Sequence, residues 1–140
     1  MTDFRKLPGY IQEITPVRIY QAANDTTPVV IATASGSALI PVIRLLSLTF
    51  RVRVAAHTDL TNIQITAGAG LTQVLFNSED GDRAEFDADG KHVSWNGGQA
   101  GIELGNGETI VAVLAGTGPT FIDGDVTARY AIIDPGATLE

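Results

Sequence analysis

Apolar and polar residues alternate along this chain in short runs of period two, broken by Gly, Asp, Asn and Pro. Nothing longer than about two turns keeps the i, i+3, i+4 spacing of an amphipathic helix. The clearest run is 46–54, where Leu46, Leu48, Phe50, Val52 and Val54 fall on one side and Ser47, Thr49, Arg51 and Arg53 on the other. That alternation predicts a strand with one face in a core and the other toward water or a partner. Similar runs at 17–21, 29–33, 62–66, 73–76, 101–104, 109–115 and 126–133 predict further strands.

Turn chemistry then predicts how neighbouring strands pair. Asp89-Gly90 lies between 83–88 and 91–95, and this residue pair tolerates the positive φ values of a type I′ turn. A two-residue hairpin there sets Ala88 opposite Lys91, Asp87 opposite His92, Phe86 opposite Val93, Glu85 opposite Ser94 and Ala84 opposite Trp95. Asn106-Gly107 predicts a second hairpin from 102–104 to 109–111, and Asp123-Gly124 a third tight turn before the last strand. About ten short strands with turn signals every 8 to 12 residues indicate an all-β fold, an antiparallel two-sheet sandwich of jelly-roll-like wiring. The ends read differently. Residues 1–9, with Arg5, Lys6 and the breaker pair Pro8-Gly9, form a short N-terminal arm; 10–134 form the sandwich domain; 135–140 follow Asp134-Pro135-Gly136 as a C-terminal tail.

Composition narrows the function. The 140 residues fit one domain, and nine Lys and Arg against 16 Asp and Glu leave a net charge of -7, against binding to nucleic acid or to anionic membranes. No run of 18 apolar residues occurs. There is no cysteine, so disulfides, thiolate catalysis and Cys-ligated metals are excluded. Seven Arg to two Lys suits interface pairing through planar guanidinium groups.

Candidate chemistry is sparse. Glu79, Asp80, Asp82, Glu85, Asp87 and Asp89 gather six of the sixteen acids into eleven residues. The run 85–90 resembles the first half of an EF-hand loop, yet Glu85 stands in its first position and Asn96 in its twelfth, where a bidentate Glu is required. A solvated hairpin is the reading taken, with a cation site as the alternative and no cofactor assigned. His57 lies near Asp59 and His92 near Asp87, but no Gly-x-Ser-x-Gly elbow supplies a nucleophile, and no enzyme activity is assigned. Gly68-Ala69-Gly70, Gly105-Asn106-Gly107 and Gly116-Thr117-Gly118 lack the following helix of a phosphate cradle.

More informative are strands apolar on both faces, at 29–31, 38–43 and 109–115. One face enters the sandwich core, and the other needs cover from a loop of the same chain or from another subunit. The second faces around Val111, Val113 and Ile133 are therefore candidate subunit contacts.

The order of pieces, 24–32 (NDTTPVVIA), 44–48 (RLLSL), 62–68 (NIQITAG), 107–113 (GETIVAV) and 124–132 (GDVTARYAI), resembles small β-sandwich virion proteins of tailed bacteriophages, of the capsid decoration (cement) or head-fibre type. That resemblance implies a structural protein without enzymatic activity, often a homotrimer, made in the host cytoplasm and seated on the outer surface of the capsid against the major capsid protein. On this reading Phe4, Arg5, Lys6 and Leu7 of the arm bind the capsid, combining apolar anchors with basic charge that the acidic body lacks. The alternative is a carbohydrate- or receptor-binding sandwich module of a phage tail or spike, which the nine aromatic residues serve poorly.

Overall fold

A computed structural model of the chain describes residues 7–21, 27–37, 41–56, 60–98, 100–116 and 122–140. The described strands are β1 (Ile11–Glu13), β2 (Val17–Gln21), β3 (Val29–Ser35), β4 (Pro41–Val54), β5 (Leu60–Ala67), β6 (Gln73–Phe76), β7 (His92–Asn96), β8 (Ile102–Gly105), β9 (Thr109–Gly116), β10 (Ile122–Ile132) and β11 (Thr138–Leu139). Two short 3-10 turns, Ala69–Leu71 and Arg83–Phe86, are the helical segments among the described residues. Every strand pair is antiparallel.

One pairing rule explains the topology. β5 pairs β6, β4 pairs β7 and β8, β3 pairs β9, and β2 pairs β10, so each strand of the first half meets its counterpart in the second. The chain is thus one long antiparallel ribbon doubled back between β5 and β6. Rolling it adds the β10–β4 and β9–β5 ladders. The result is a jelly-roll sandwich of a six-stranded sheet (β1 and β2 beside β10, then β4, then β7 and β8) over a five-stranded sheet ordered β11-β3-β9-β5-β6.

The inward faces make one core. Leu48, Phe50, Val126, Ala128 and Tyr130 of the first sheet oppose Ala32, Ile63, Ile65, Ile110, Ala112 and Leu114 of the second. β4 does not keep a single alternation along its 14 residues. Ile43 and Leu45 point inward, a register shift against Arg129/Tyr130 follows, and Leu48, Phe50 and Val52 point inward after it. This bulge leaves Leu46 half-buried, out of the row in which the alternation had set it. At the far end Val54, also expected on the buried side, is 44% exposed.

Three predicted turns need correction. Asp89-Gly90 is a turn with Gly90 at φ +83°, but 83–88 is not a strand. Asp82 accepts a hydrogen bond from the Ala84 amide and starts the 3-10 turn, and a segment so rich in Asp, Glu and Ala has little preference for a pleated ladder. Phe86 is drawn inward as a single anchor, edge-on to Phe50 with centroids 5.1 Å apart. β7 instead takes the open edge of β4, with Phe50 opposite Val93 and Leu48 opposite Trp95. Of the expected pairs, only Ala88 with Lys91 forms, the Lys91 amide donating to the Ala88 carbonyl at 3.3 Å to close the turn; the ladder of 84–87 with 92–95 does not form.

Asn106-Gly107 turns between sheets rather than within one, because β8 lies on β4 while β9 lies on β3 and β5. Gly107 has the positive φ of +83° that the pair suggested, yet its amide donates to the Ala34 carbonyl of β3. Asp123-Gly124 is no turn at all. Both residues are part of β10, with a register shift between them, and Gly124 allows Phe50 to press against the backbone. The segment 135–140, expected as a tail, carries β11, whose Leu139 is buried opposite Ala34. Gly9 at the end of the arm donates to the Ile132 carbonyl at 2.7 Å, which ties residue 9 to the rim of the first sheet.

Candidate interaction surfaces

The two outer faces of the sandwich differ in chemistry. On the six-stranded sheet, positions pointing away from the core carry Arg18, Arg44, Arg51, Arg53 and Arg129 together with Glu13, Glu103, Asp123 and Asp125. Cross-strand pairing joins them: Arg18 to Asp123 at 2.8 Å, Arg44 to Glu103 at 2.9 Å, Arg53 to Asp125 at 2.7 Å, and Arg129 to Glu13 at 3.9 Å. Asp123 is the buried member, gripped by Nε and one terminal nitrogen of Arg18. Those hydrogen bonds hold its carboxyl below the usual value and raise the guanidinium's. Tyr20 lies 5.1 Å from the Arg18 guanidinium carbon, stacking on the cation. Four of the five guanidinium groups thus engage carboxylates of their own face.

The five-stranded sheet presents the opposite character. Register and alternation bring Val30 of β3, Val111 of β9 and Thr66 of β5 into one outward row, with Val74 of β6 next to Thr66. Val113 and Gln64 form a second row, Thr33 and Thr109 a third. None of these residues carries charge. Val30 is 55% exposed, Val74 54% and Val113 37%, whereas Val111 is 5% exposed because it sits between Val30 and Thr66. Acids of the flanking segments lie at the two edges, Glu140 beside Thr33 on the β11 side and Asp82 beside Asn62.

Of the candidate contact residues, Phe4, Arg5 and Lys6 lie outside the described residues, and Leu7 is half-buried. Val111 and Val113 share the outer face of the second sheet. Ile133 does not join them; half-buried, it follows β10 in the other sheet and donates to the Val42 carbonyl.

The acid-rich segment is occupied with its own turns. The Asn77 side chain accepts from the amides of Glu79 and Asp80, Asp82 from Ala84, and Asp89 from Ala55. Asp87 pairs with Lys91 at 2.7 Å, which lowers its pKa, and not with His92, as the hairpin required. His92 is exposed on β7 opposite Arg51. His57 and Asp59 lie outside the described residues, and among those described no three His, Asp or Glu side chains gather as a metal set. No described helix is long and apolar enough to cross a membrane.

Between the β6 and β7 edges opens a cleft of about 430 Å³, lined by Phe76, Glu79, Asp80, Glu85, Val93 and Trp95 among others. Trp95 is half-buried against the core, and Gly97 lies so close that a Cβ there would sit 2.9 Å from its Cζ2. Gly97 thus packs against the outer edge of the indole.

No protein-family model matches the chain, and no curated protein does. Among solved structures, a chain in the acidic stable capsid structure of Helicobacter pylori bacteriophage KHP30 is similar in fold outline, at 12% identity and a TM-score of 0.43, over 90% of this chain and 98% of that one.

Proposed function

We propose that the chain is a structural virion protein, a capsid decoration protein that binds the outer surface of a phage head against the major capsid protein as an assembly of copies. The observation that carries this reading is the outer face of the five-stranded sheet, with Val30, Val113 and Val74 exposed among uncharged Thr and Gln. Water is a poor long-term neighbour for such a face, and a protein surface is a good one. The strand order that resembles phage virion proteins supports it. The arm supplies the capsid contact through Phe4, Arg5, Lys6 and Leu7, entering the sandwich at the rim where Gly9 is bound to Ile132.

Cosedimentation with empty capsids of the encoding phage tests the reading. Deleting residues 1–7 should leave the melting temperature of the sandwich nearly unchanged and lower occupancy on particles. Undiminished binding of the truncated chain removes the arm as anchor, and binding by neither form removes decoration as the function. A glycan array probed with the same protein should be silent; a specific signal there would favour a carbohydrate-binding module instead.

A further inference from the structure

We infer that the uncharged face of the five-stranded sheet is closed by the same face of a second copy, related by a two-fold axis. The inference rests on the decoration reading, which brings copies of this chain side by side. Its physical basis is charge. A partner that laid a carboxylate or guanidinium on the row Val30, Val111, Thr66 and Val74 would strip it of water with no counter-charge to meet it. The occupant must therefore be uncharged over the same extent and flat enough to lie on a sheet.

The chain itself offers such a surface, and its two strongly charged surfaces do not match it. The outer face of the other sheet is studded with five arginines and four carboxylates, and the 79–89 segment with six acids. A head-to-tail contact that used either of these surfaces would press charge onto the uncharged face. Pairing a face with itself requires a two-fold axis. Two sheets stacked this way lie about 10 Å apart, with valines of one inserted between valines of the other. The acids at the edges, Glu140 and Asp82, stay at the wet rim.

Size sets the strength. Strands about 4.8 Å apart and rising about 3.4 Å per residue give this face a plan area of about 500 Å². A standard interface buries about 800 Å² per partner, so pairing in the micromolar range is expected.

Sedimentation equilibrium of the full chain over micromolar concentrations reads the proposal. The wild type should pass from 14.7 kDa to twice that mass. Val30→Arg and Val74→Arg, at exposed positions where a lone folded chain tolerates a long charged side chain, should each raise the dissociation constant about 100-fold, because two-fold symmetry brings two new charges into the contact. Val54→Arg, also at an exposed position but in the other sheet, should leave pairing unchanged. Circular dichroism on all three variants confirms that loss of pairing is not loss of fold. A wild type that stays at one chain, a mass of three chains, or pairing that survives both valine variants overturns the proposal. Pairing that follows this pattern in a protein that ignores capsids would sustain the two-fold contact while removing the decoration reading.

Discussion

Substituting Gly124 separates the strand seen in the structure from the turn that Asp123-Gly124 suggests. Gly124 lies in β10 between Ile19 of β2 and Val52 of β4, and its φ is not in the left-handed region. A Cβ built on it would stand 2.7 Å from both the Arg51 carbonyl oxygen and Phe50 Cζ, and nearer still to Phe50 Cε1. Ordinary contacts are about 3.5 to 4 Å, so about 1 Å of displacement must be found. The Arg51 carbonyl is backbone of β4, and Phe50 is fully buried with Phe86 edge-on against it. Overpacking of this kind costs about 1 to 3 kcal/mol, and the entropy gained by replacing glycine returns about 0.5 to 1. The expected net loss for Gly124→Ala is about 1 to 2 kcal/mol, or a fall of about 4 to 6 °C in Tm for a chain of this size.

Because similar losses can arise elsewhere, the decisive quantity is coupling. Phe50→Leu alone opens space in the core and destabilises; combined with Gly124→Ala it removes the obstacle. The double variant should be about 1 kcal/mol more stable than the sum of the singles. Gly90→Ala serves as the control: its φ is +83° with nothing within 4 Å of the new Cβ, so its cost is conformational and should not couple to Phe50. Urea unfolding at fixed protein concentration, followed by fluorescence of the single tryptophan, Trp95, supplies all the values. Additivity of Gly124→Ala with Phe50→Leu would refute the close packing of β10 on Phe50.

Two further outcomes follow from the same geometry. Leu139→Ala should cost about 2 to 5 kcal/mol in urea unfolding because it empties a buried site opposite Ala34, whereas a solvated tail would lose almost nothing. Asp123, with its carboxyl held below the ordinary 3.8 by Arg18, contributes stability that is fully present above that value and is lost as pH falls through the lowered one; Asp123→Asn should flatten this part of the acid limb in unfolding midpoints taken from about pH 5 downward, and an unchanged slope would count against the pair.

Strands were legible in the sequence because burial of one sheet face writes period two into the chain: 17–21 and 73–76 match β2 and β6, and most other runs differ from their strands by one or two residues at an end. Pairing was less legible. Asn-Gly and Asp-Gly report that a backbone position tolerates positive φ, as Gly90 and Gly107 do, but not which ladder the chain enters afterwards. At Gly107 that choice is made by the Ala34 carbonyl, at β7 by the free edge of a 14-residue β4, and neither is near in sequence. Gly124 carries the same dipeptide for an unrelated reason, the approach of Phe50.

The doubly apolar strand 109–115 raised two possibilities, cover from its own chain or contact with another subunit, and the structure separates the positions its own chain covers from the one it leaves open. Ile110, Ala112 and Leu114 enter the core. Val111 is covered within its own sheet by Val30 and Thr66, while Val113, one row along beside Gln64, is open to solvent. A doubly apolar strand is therefore weak evidence for a partner by itself, since sheet neighbours can shield a valine at its centre. Stronger evidence is the absence of charge from the whole row, and that has no local signature. Val30, Thr66, Val74 and Val111 are ordinary strand residues wherever each occurs in the sequence. They become one surface because the ribbon pairs β3 with β9 and β5 with β6, and the roll then sets β9 beside β5. The uncharged surface is thus a property of the topology, which is why charge inserted at Val30 or Val74 tests assembly more directly than any change within 109–115.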